Sequence, residues 1–175
     1  MPRERLLITS LDLPYPPAEV FPFFADAANL DAITPPHLRF RILTPPPIRM
    51  QVGTLIDYSI RLRGVPMGWR TRISAWDPPH RFVDEQIRGP YALWVHEHTF
   101  EPTPTGTRCR DVVRYAHHGG PLVERLLVRP DIERIFAFRN AALARRFAAP
   151  PITLGPAPLT ASMAAPLAAA PQPGV

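Results

Sequence analysis

The segment RFVDEQIRGPYALWVHEHTFEPTPTGTRCRDVVRYAHHGG, residues 81–120, decides the fold of this chain. Apolar and polar residues alternate in three runs, at 81–88, 91–101 and 107–117. A period of two is typical of strands that bury one face. Gly89-Pro90 and the stretch 102–106 separate the runs, and residues of these types favour turns. The segment therefore predicts three consecutive antiparallel strands.

The sequence on the N-terminal side of this segment continues the alternating pattern. Residues 4–12 form a short apolar run that predicts a first strand, because Pro14 ends it. Three more alternating runs predict further strands, at 38–42, 54–63 and 69–76. Two short helices are predicted between the first strand and these runs, over 18–24 and 29–33, because prolines stand where they begin or end.

The sequence on the C-terminal side returns to helical spacing. Three leucines over 122–127 predict a turn or short helix that Pro130 interrupts. Apolar residues at spacings of three and four then predict a long amphipathic helix over 131–147. From 149 to 175 nearly every residue is Pro, Ala, Gly, Leu, Thr or Ser, without charge or periodicity. Such a composition does not offset the entropy of ordering, so this segment is predicted to be disordered.

The composition favours one intracellular domain and argues against nucleic-acid binding. The chain has 175 residues, of which 46% are hydrophobic, which is enough for one sizeable core. The net charge of +5 comes from arginines that are scattered among acidic residues and form no basic stripe. Cys109 is the only cysteine, so no intramolecular disulfide forms, and its position indicates packing. No signal-peptide core and no run of about 20 apolar residues is found, which predicts a cytoplasmic protein without a transmembrane segment.

Six short motifs in this sequence resemble those of one superfamily. They are Gly68-Trp69, FVDEQ at 82–86, Gly89-Pro90-Tyr91, WVHEHTF at 94–100, DVVRY at 111–115 and IFAFR at 135–139. With the order of the predicted elements, they are similar to the START-like or SRPBCC superfamily, in particular to bacterial ligand-binding members related to polyketide cyclases and dehydratases. The resemblance covers about residues 3–148. One departure is AHHGGP at 116–121, where relatives often carry Pro-x-Gly after the tyrosine of the last strand.

The resemblance implies an α+β helix-grip fold. In that fold a curved antiparallel sheet, with two short helices after the first strand, packs against a long C-terminal helix and encloses a cavity. We accordingly assign residues 1–148 to a START-like ligand-binding domain and residues 149–175 to the disordered Ala/Pro-rich tail. The superfamily includes lipid carriers, coenzyme Q binders, plant hormone receptors and aromatic cyclases, so the fold implies a cavity without specifying its contents.

Strand parity selects the residues that are expected to face this cavity. If Trp94 and Phe100 point inward, then His96 and His98 on the same strand do so as well. The predicted ligand-binding residues are Ile56, Tyr58, Trp69, Gln86, Trp94, His96, His98, Asp111, Tyr115 and Phe136. Aromatic walls with a few polar groups are typical of small-molecule sites. For any single aromatic residue, however, ordinary core packing is the simpler interpretation.

His96 and His98 carry most of the chemical information, because a buried polar group without a partner costs about 1–3 kcal/mol. Three interpretations are open: a structural hydrogen-bonded network with Asp84, Gln86 or Asp111, a pair that orients a ligand or transfers a proton, and part of a metal site. No third metal ligand is identifiable at motif spacing, so neither a metal nor a cofactor is predicted.

The sequence leaves three functions open. The first, which we predict, is a carrier or binding protein for a small hydrophobic ligand that is lipid-like, aromatic or polyketide-like. The second is a cyclase or dehydratase in which one of the two candidate catalytic histidines, His96 or His98, transfers a proton while Tyr58, Tyr115 or Arg61 polarises a carbonyl. The third is a protein-interaction module that uses the sheet surface or the Pro-rich tail. Ligand identity and oligomeric state are not predicted.

Overall fold

The alternating runs of the sequence form one antiparallel sheet in the computed structural model, which describes residues 2–148. The strands are β1 (Arg5–Leu13), β2 (Arg41–Ile42), β3 (Leu55–Leu62), β4 (Val65–Asp77), β5 (Arg81–Arg88), β6 (Leu93–Thr103) and β7 (Gly106–Ala116). The helices are α1 (Pro17–Phe24), α2 (Gly120–Val123) and α3 (Arg129–Arg146), with short 3₁₀ helices at Ala27–Ile33 and Pro36–Leu38 and a π-helical turn at Glu124–Val128.

The strand order confirms the predicted helix-grip fold. The sheet runs β1-β7-β6-β5-β4-β3-β2, and every neighbouring pair is antiparallel. Strands β2 to β7 therefore form a meander of successive neighbours, and β1 completes the sheet by pairing with β7. The long C-terminal helical segment and the short helical segments after β1, of which there are three where the sequence predicted two, complete the α+β architecture.

A tight turn joins β3 to β4. Leu62 pairs with Val65, so Arg63 and Gly64 form a two-residue turn, with φ values of 50° and 85°. Positive φ at both central residues gives a backbone twist that matches two right-twisted antiparallel strands. As a result β4 begins at Val65, four residues before the predicted start of the strand.

The strand predicted over 38–42 is mostly absent, and this prediction was wrong. Only Arg41 and Ile42 pair with β3. Leu38 ends a 3₁₀ helix, and Arg39 follows it with a φ of 45° in the left-handed region, which takes the chain out of the extended conformation. Leu38 is buried all the same. The apolar alternation of this run therefore predicted the burial of Leu38 correctly, but it did not predict the backbone conformation.

The predicted interruption at Pro130 was also wrong. The helical conformation runs from α2 through the π-helical turn directly into α3. Pro130 is the second residue of α3 and has no backbone N–H to donate, and the π-helical turn lies directly before it. The backbone N–H of Arg129 bonds to the carbonyl of Glu124, so the wider turn brings the chain to this position without a break. The long helix itself lies within two residues of its predicted bounds.

Two apolar clusters form between the sheet and the helices. The first core contains Leu13, Val20, Phe21, Phe24, Ile33, Phe82, Phe100, Cys109, Ala142 and Leu143. The second core contains Val113, Tyr115, Ile132 and Phe136. Both clusters contain residues of β7 and α3. The residues of these two elements that lie between the two clusters belong to the site described below.

The outer face of the sheet carries paired charges. Arg70 on β4 donates two hydrogen bonds to Asp57 on β3, at 2.7 and 2.8 Å, and Arg72 likewise pairs with Glu85 on β5. These exposed arginines therefore have acidic partners across the strands. Within residues 2–148, no helix has the length and apolar character needed to span a membrane. The predicted tail at 149–175 lies outside the described residues, and the domain boundary at residue 148 stays a prediction.

Candidate functional site

A cavity of about 180 Å³ lies between the concave side of the sheet and the helices α1 and α3. Strands β3 to β6 supply the sheet side of its wall, and Ile132, Ile135, Phe136 and Arg139 of α3 lie opposite. The 3₁₀ helices after α1 close a further side with apolar residues such as Leu30 and Ile33. Because side chains alternate along a strand, every second residue of each strand reaches this space.

Four aromatic side chains form one wall of the cavity, and we call them the aromatic wall: Tyr58, Trp69, Tyr91 and Trp94. Trp69 stacks on Tyr58 with ring centroids 5.7 Å apart and meets Trp94 edge-on at 5.4 Å. Tyr91 contacts Trp94 at 4.7 Å. These separations are those of attractive aromatic pairs, so the wall is pre-organised by its own packing.

A buried threonine fixes the polar ends of this wall. The indole Nε1 of Trp69 donates to Oγ1 of Thr71 at 3.1 Å, and the same oxygen lies 3.1 Å from the hydroxyl of Tyr58. Burial raises the pKa of the Tyr58 hydroxyl and of the Tyr91 hydroxyl, so both are neutral phenols. Because Thr71 satisfies the polar atoms of Tyr58 and Trp69, these two rings present mainly apolar surface to the cavity.

Opposite charges gather at the other side of the cavity in a group that we call the polar cluster: Asp84, His96, His98, Asp111 and Arg139. The strand register creates it. Asp84 of β5 lies directly across from His96 of β6, and His98 lies directly across from Asp111 of β7. Arg139 reaches the group from α3, on the helix face that also buries Phe136.

Each imidazole of the polar cluster touches both carboxylates. His96 Nε2 lies 3.0 Å from Asp111 Oδ1, and its Nδ1 lies 3.6 Å from Asp84 Oδ2. His98 Nε2 lies 3.1 Å from Asp84 Oδ2, and its Nδ1 lies 2.8 Å from Asp111 Oδ1. The Nε of Arg139 stands 3.5 Å from Asp111 Oδ2.

Both ring nitrogens of His98 face carboxylate oxygens at close range, an arrangement that favours the protonated imidazolium form. Burial by itself lowers the pKa of His98, but the hydrogen bonds to Asp111 and Asp84 outweigh it, and the pKa is raised. Nη2 of Arg139 also lies 3.4 Å from His98 Nδ1. A protonated Nδ1 does not accept a hydrogen bond from Arg139. We therefore take Nδ1 to donate to Asp111 Oδ1, which is 0.6 Å nearer than Nη2 of Arg139.

His96 has the opposite character. Burial and the neighbouring positive charge of His98 lower its pKa, so its ring is neutral, with the proton on Nε2 toward Asp111. Burial by itself would raise the pKa of Asp84 and of Asp111, but other groups outweigh it and both pKa values are lowered. At Asp84 the hydrogen bond and the charges of the two histidines lower the pKa. At Asp111 the charge of Arg139 is the largest lowering cause. Both carboxylates are therefore ionised.

The polar cluster lies between the two apolar cores. The His98 ring stacks on Phe82 of the first core with centroids 4.0 Å apart. The His96 ring meets Phe136 of the second core at 5.3 Å. Apolar surroundings keep the local dielectric low, which strengthens each ion pair and makes any unpaired charge costly.

Seven of the ten predicted ligand-binding residues line the cavity: Ile56, Tyr58, Trp69, Trp94, His96, His98 and Phe136. The other three do not form its wall. Gln86 hydrogen-bonds to the backbone of Tyr91 at 2.7 and 3.2 Å, Asp111 lies behind the histidines, and Tyr115 donates to Glu124 at 2.8 Å. Whether the seven contact a ligand stays a prediction.

Sequence reasoning missed Arg139 as a site residue and named Asp84 only as a partner of the histidines. A signal for Arg139 existed, because it follows Ile132 and Phe136 by seven and three residues and so shares their helix face. Thr71 and Tyr91, which also line the cavity, were not singled out either. Thr71 has the strand parity of Trp69, which would have indicated it.

One group in residues 2–148 has the residue types of a metal site. Candidate ligand atoms of Asp84, His96 and His98 all lie within 4.8 Å of one another. Asp84 on a neighbouring strand thus supplies the third residue of ligating type that no motif spacing in the sequence indicated.

The fold and this site define the chain as a helix-grip protein of the SRPBCC type, with a cavity under its long helix. Residues 13–144 match the model of the family described as polyketide cyclase / dehydrase and lipid transport. The chain belongs to this family, which confirms the resemblance drawn from the motifs. Membership indicates a ligand-binding or cyclase/dehydrase type of function. A comparison with curated proteins found no match.

Solved structures support the same fold. Protein CV1439 from Chromobacterium violaceum shares 16% identity, with a TM-score of 0.63 over 82% of this chain and 97% of that chain. Protein Ms6760 from Mycobacterium smegmatis shares 15% identity, with a TM-score of 0.61 over 81% and 89%. The major latex-like protein 151 of Panax ginseng shares 10% identity, with a TM-score of 0.62 over 82% and 97%. At these identities the likeness concerns the fold.

Proposed function

We propose that this protein binds a small aromatic molecule, about one ring in size, in the cavity between its sheet and α3. The observation that carries the proposal is the cavity itself, with the aromatic wall on one side and the polar cluster on the other. Family membership supports a ligand-binding role without naming the ligand.

The volume of the cavity favours a single ring. Pockets for drug-sized ligands measure roughly 300–1,000 Å³, and about 180 Å³ is well below that range. An apolar cavity of about 150 Å³ takes up benzene. The space therefore suits one ring with one or two further heavy atoms. A long acyl chain or a polycyclic molecule requires more room than this.

The composition of the wall favours an aromatic guest. Tyr58, Trp69 and Trp94 offer ring faces and edges to the cavity, and contacts between aromatic rings contribute about 0.5–1.5 kcal/mol beyond the area that they bury. The hydroxyl of Tyr58 and the indole N–H of Trp69 are held by Thr71 and are not available to a competing polar ligand. An aromatic ligand thus gains both the hydrophobic transfer and specific ring contacts.

The enzyme alternative is less well supported by the same observations. A cyclase or dehydratase of polyketide-like chains needs space for an extended substrate, and the cavity offers about 180 Å³. His96 and His98 remain candidate catalytic residues only in that alternative. Binding without turnover, as a carrier or binding protein, is the function that we propose.

Titration with toluene tests the proposal, with binding measured by calorimetry and by the upward shift of the melting temperature. Wild-type protein is expected to bind toluene. Ile56 lies in the cavity wall and is 3% exposed, so Ile56→Trp places its larger ring in the void and is expected to abolish binding. Ile87 is 49% exposed, and Ile87→Trp serves as the matched control that binds normally.

Two results would contradict the proposed function. In the first, neither toluene nor other single-ring aromatics bind the wild-type protein at any concentration up to their solubility. In the second, Ile56→Trp binds toluene as well as Ile87→Trp does, although both variants melt cooperatively. Solvent extraction of the purified protein, followed by mass spectrometry, then identifies the natural ligand if one co-purifies.

A further inference from the structure

The polar cluster presents hydrogen-bond acceptors to the cavity. Asp84 Oδ2 accepts from His98, but Asp84 Oδ1 has no hydrogen-bond partner among residues 2–148. His96 uses Nε2 toward Asp111, and its Nδ1 is 3.6 Å from the nearest oxygen of Asp84, beyond hydrogen-bond distance. Asp84 and His96 both line the cavity. A ligand that donates a hydrogen bond would satisfy an acceptor that otherwise has no protein partner.

The position of Asp84 in the cavity wall also disfavours an anionic ligand. Asp84 and Asp111 place two carboxylates in one cluster, and His98 and Arg139 lie within 3.5 Å of them. All four side chains are largely buried, between 5% and 18% exposed. An anionic ligand would bring a further negative charge against Asp84 in this environment, whereas a neutral donor would form a hydrogen bond with it.

We propose that the ligand class of this cavity is a neutral phenol, whose ring packs on the aromatic wall and whose hydroxyl donates a hydrogen bond to Asp84 or His96. This inference deepens the proposed function and rests on it. The hydroxyl oxygen can in turn accept a hydrogen bond, and the guanidinium of Arg139 also lines the cavity. A hydroxyl therefore suits both kinds of polar group on this side of the site.

Three probes of similar size separate the possibilities: toluene, phenol and benzoate. Toluene and phenol differ only by a methyl in place of a hydroxyl, and near pH 7 phenol is neutral whereas benzoate is an anion. Binding is measured by calorimetry on the full chain at pH 7 with EDTA present. A hydrogen bond to a charged group favours phenol over toluene by about 10- to 100-fold. Benzoate is expected to bind at least about tenfold more weakly than phenol, because its carboxylate is repelled by Asp84 and has no proton to donate.

The variant Asp84→Asn tests the acceptor directly, since it keeps the shape of the side chain and removes the charge. We expect it to lose most of the preference for phenol while it binds toluene normally, which also shows that it is folded. The matched control is Asp57→Asn, on the outer face of the sheet, where the carboxylate pairs with Arg70 and does not line the cavity. The control should keep the full preference.

The outcomes separate this inference from the proposed function. If toluene binds and phenol binds no more tightly, the hydroxyl finds no acceptor and the inference is wrong, while the binding function stands. If none of the three probes binds, the proposed function fails. If phenol binds only after Zn²⁺ is added in place of EDTA, then Asp84, His96 and His98 hold a metal, which overturns the inference. The comparison of probes on the wild-type protein holds even if Asp84→Asn does not fold.

Discussion

Replacing Arg139 by Met is expected to destabilise the protein strongly, although the ion pair that it breaks is not a short one. Nε of Arg139 lies 3.5 Å from Asp111 Oδ2, and the two side chains are 9% and 10% exposed. Met keeps the length of the side chain and removes its charge, so the cluster is left with one unbalanced carboxylate. Breaking a buried pair in this way costs about 3–5 kcal/mol. At 1.4 kcal/mol for each factor of ten, the unfolding equilibrium shifts by more than about a hundredfold.

The matched control, Arg63→Met, breaks an ion pair that has shorter distances but is more exposed to solvent. Arg63 donates two hydrogen bonds to Asp131, at 2.8 and 3.0 Å, but its side chain is 50% exposed. Exposed pairs are screened by water and contribute about 0.2–1 kcal/mol. Arg63→Met is therefore expected to cost far less than Arg139→Met, even though the distances alone predict the reverse order. The comparison decides between distance and burial as the source of the stabilisation.

Unfolding in urea, followed by the fluorescence of the three tryptophans, measures both variants. EDTA is present and no ligand is added, so binding does not contribute to the measured stability. With a slope of about 2 kcal/mol per molar urea, a loss of 3 kcal/mol lowers the midpoint by about 1.5 M, and the control lowers it by about 0.5 M or less.

Equal losses in the two variants would refute the reasoning. A second check separates charge from packing. In Arg139→Met/Asp111→Asn the unbalanced carboxylate is also removed, so part of the lost stability should return. The free energy of unfolding of Asp111→Asn alone gives the cost of the second substitution. If the double variant is less stable than Arg139→Met by that full cost, the loss in Arg139→Met came from packing around the methionine and not from the charge.

Two further predictions concern Cys109 and Gly106. Burial raises the pKa of the Cys109 thiol to about 12, so at pH 8 the folded protein should react with iodoacetamide at least about tenfold more slowly than the urea-unfolded chain; equal rates would show that the thiol is accessible. Gly106 has a φ of 148°, and a Cβ there would stand 2.0 Å from the carbonyl oxygen of Leu13, so Gly106→Ala should lower the melting temperature well beyond Gly53→Ala. Gly53 also has positive φ but open space around it, and its substitution is expected to cost only about 1–2 kcal/mol; similar melting temperatures would contradict the predicted clash.

The fold and most of the cavity wall could be predicted from the sequence because strand parity is a strict geometric rule. Once Trp94 was taken to face inward, His96 and His98 had to follow, and both are buried beside the cavity. The same rule indicated Asp84 and Asp111 on the neighbouring strands, because residues that are paired across an antiparallel sheet point to the same face.

The remainder depends on distances that no local pattern contains. Arg139 is 41 residues from His98 in sequence, and their contact is decided by how α3 lies across the sheet. The loss of the strand at Leu38 follows from one left-handed residue, Arg39, which is not a glycine and gives no sequence signal. The cavity volume is a small difference between large packed volumes, so the resemblance to the helix-grip fold implied a cavity and did not predict its size.

The polar cluster is difficult to explain by stability alone. Apolar residues of similar volume often replace buried ion networks at no cost or with a gain, and here Phe82 and Phe136 already supply apolar neighbours on both sides. A continuous core across β5, β6, β7 and α3 would therefore be the simpler way to build this fold. The cluster instead has Asp84 and His96 in the cavity wall, together with the aromatic wall. A requirement to recognise a polar group on a bound ring gives a physical reason for that arrangement, and the difference between toluene and phenol measures it directly.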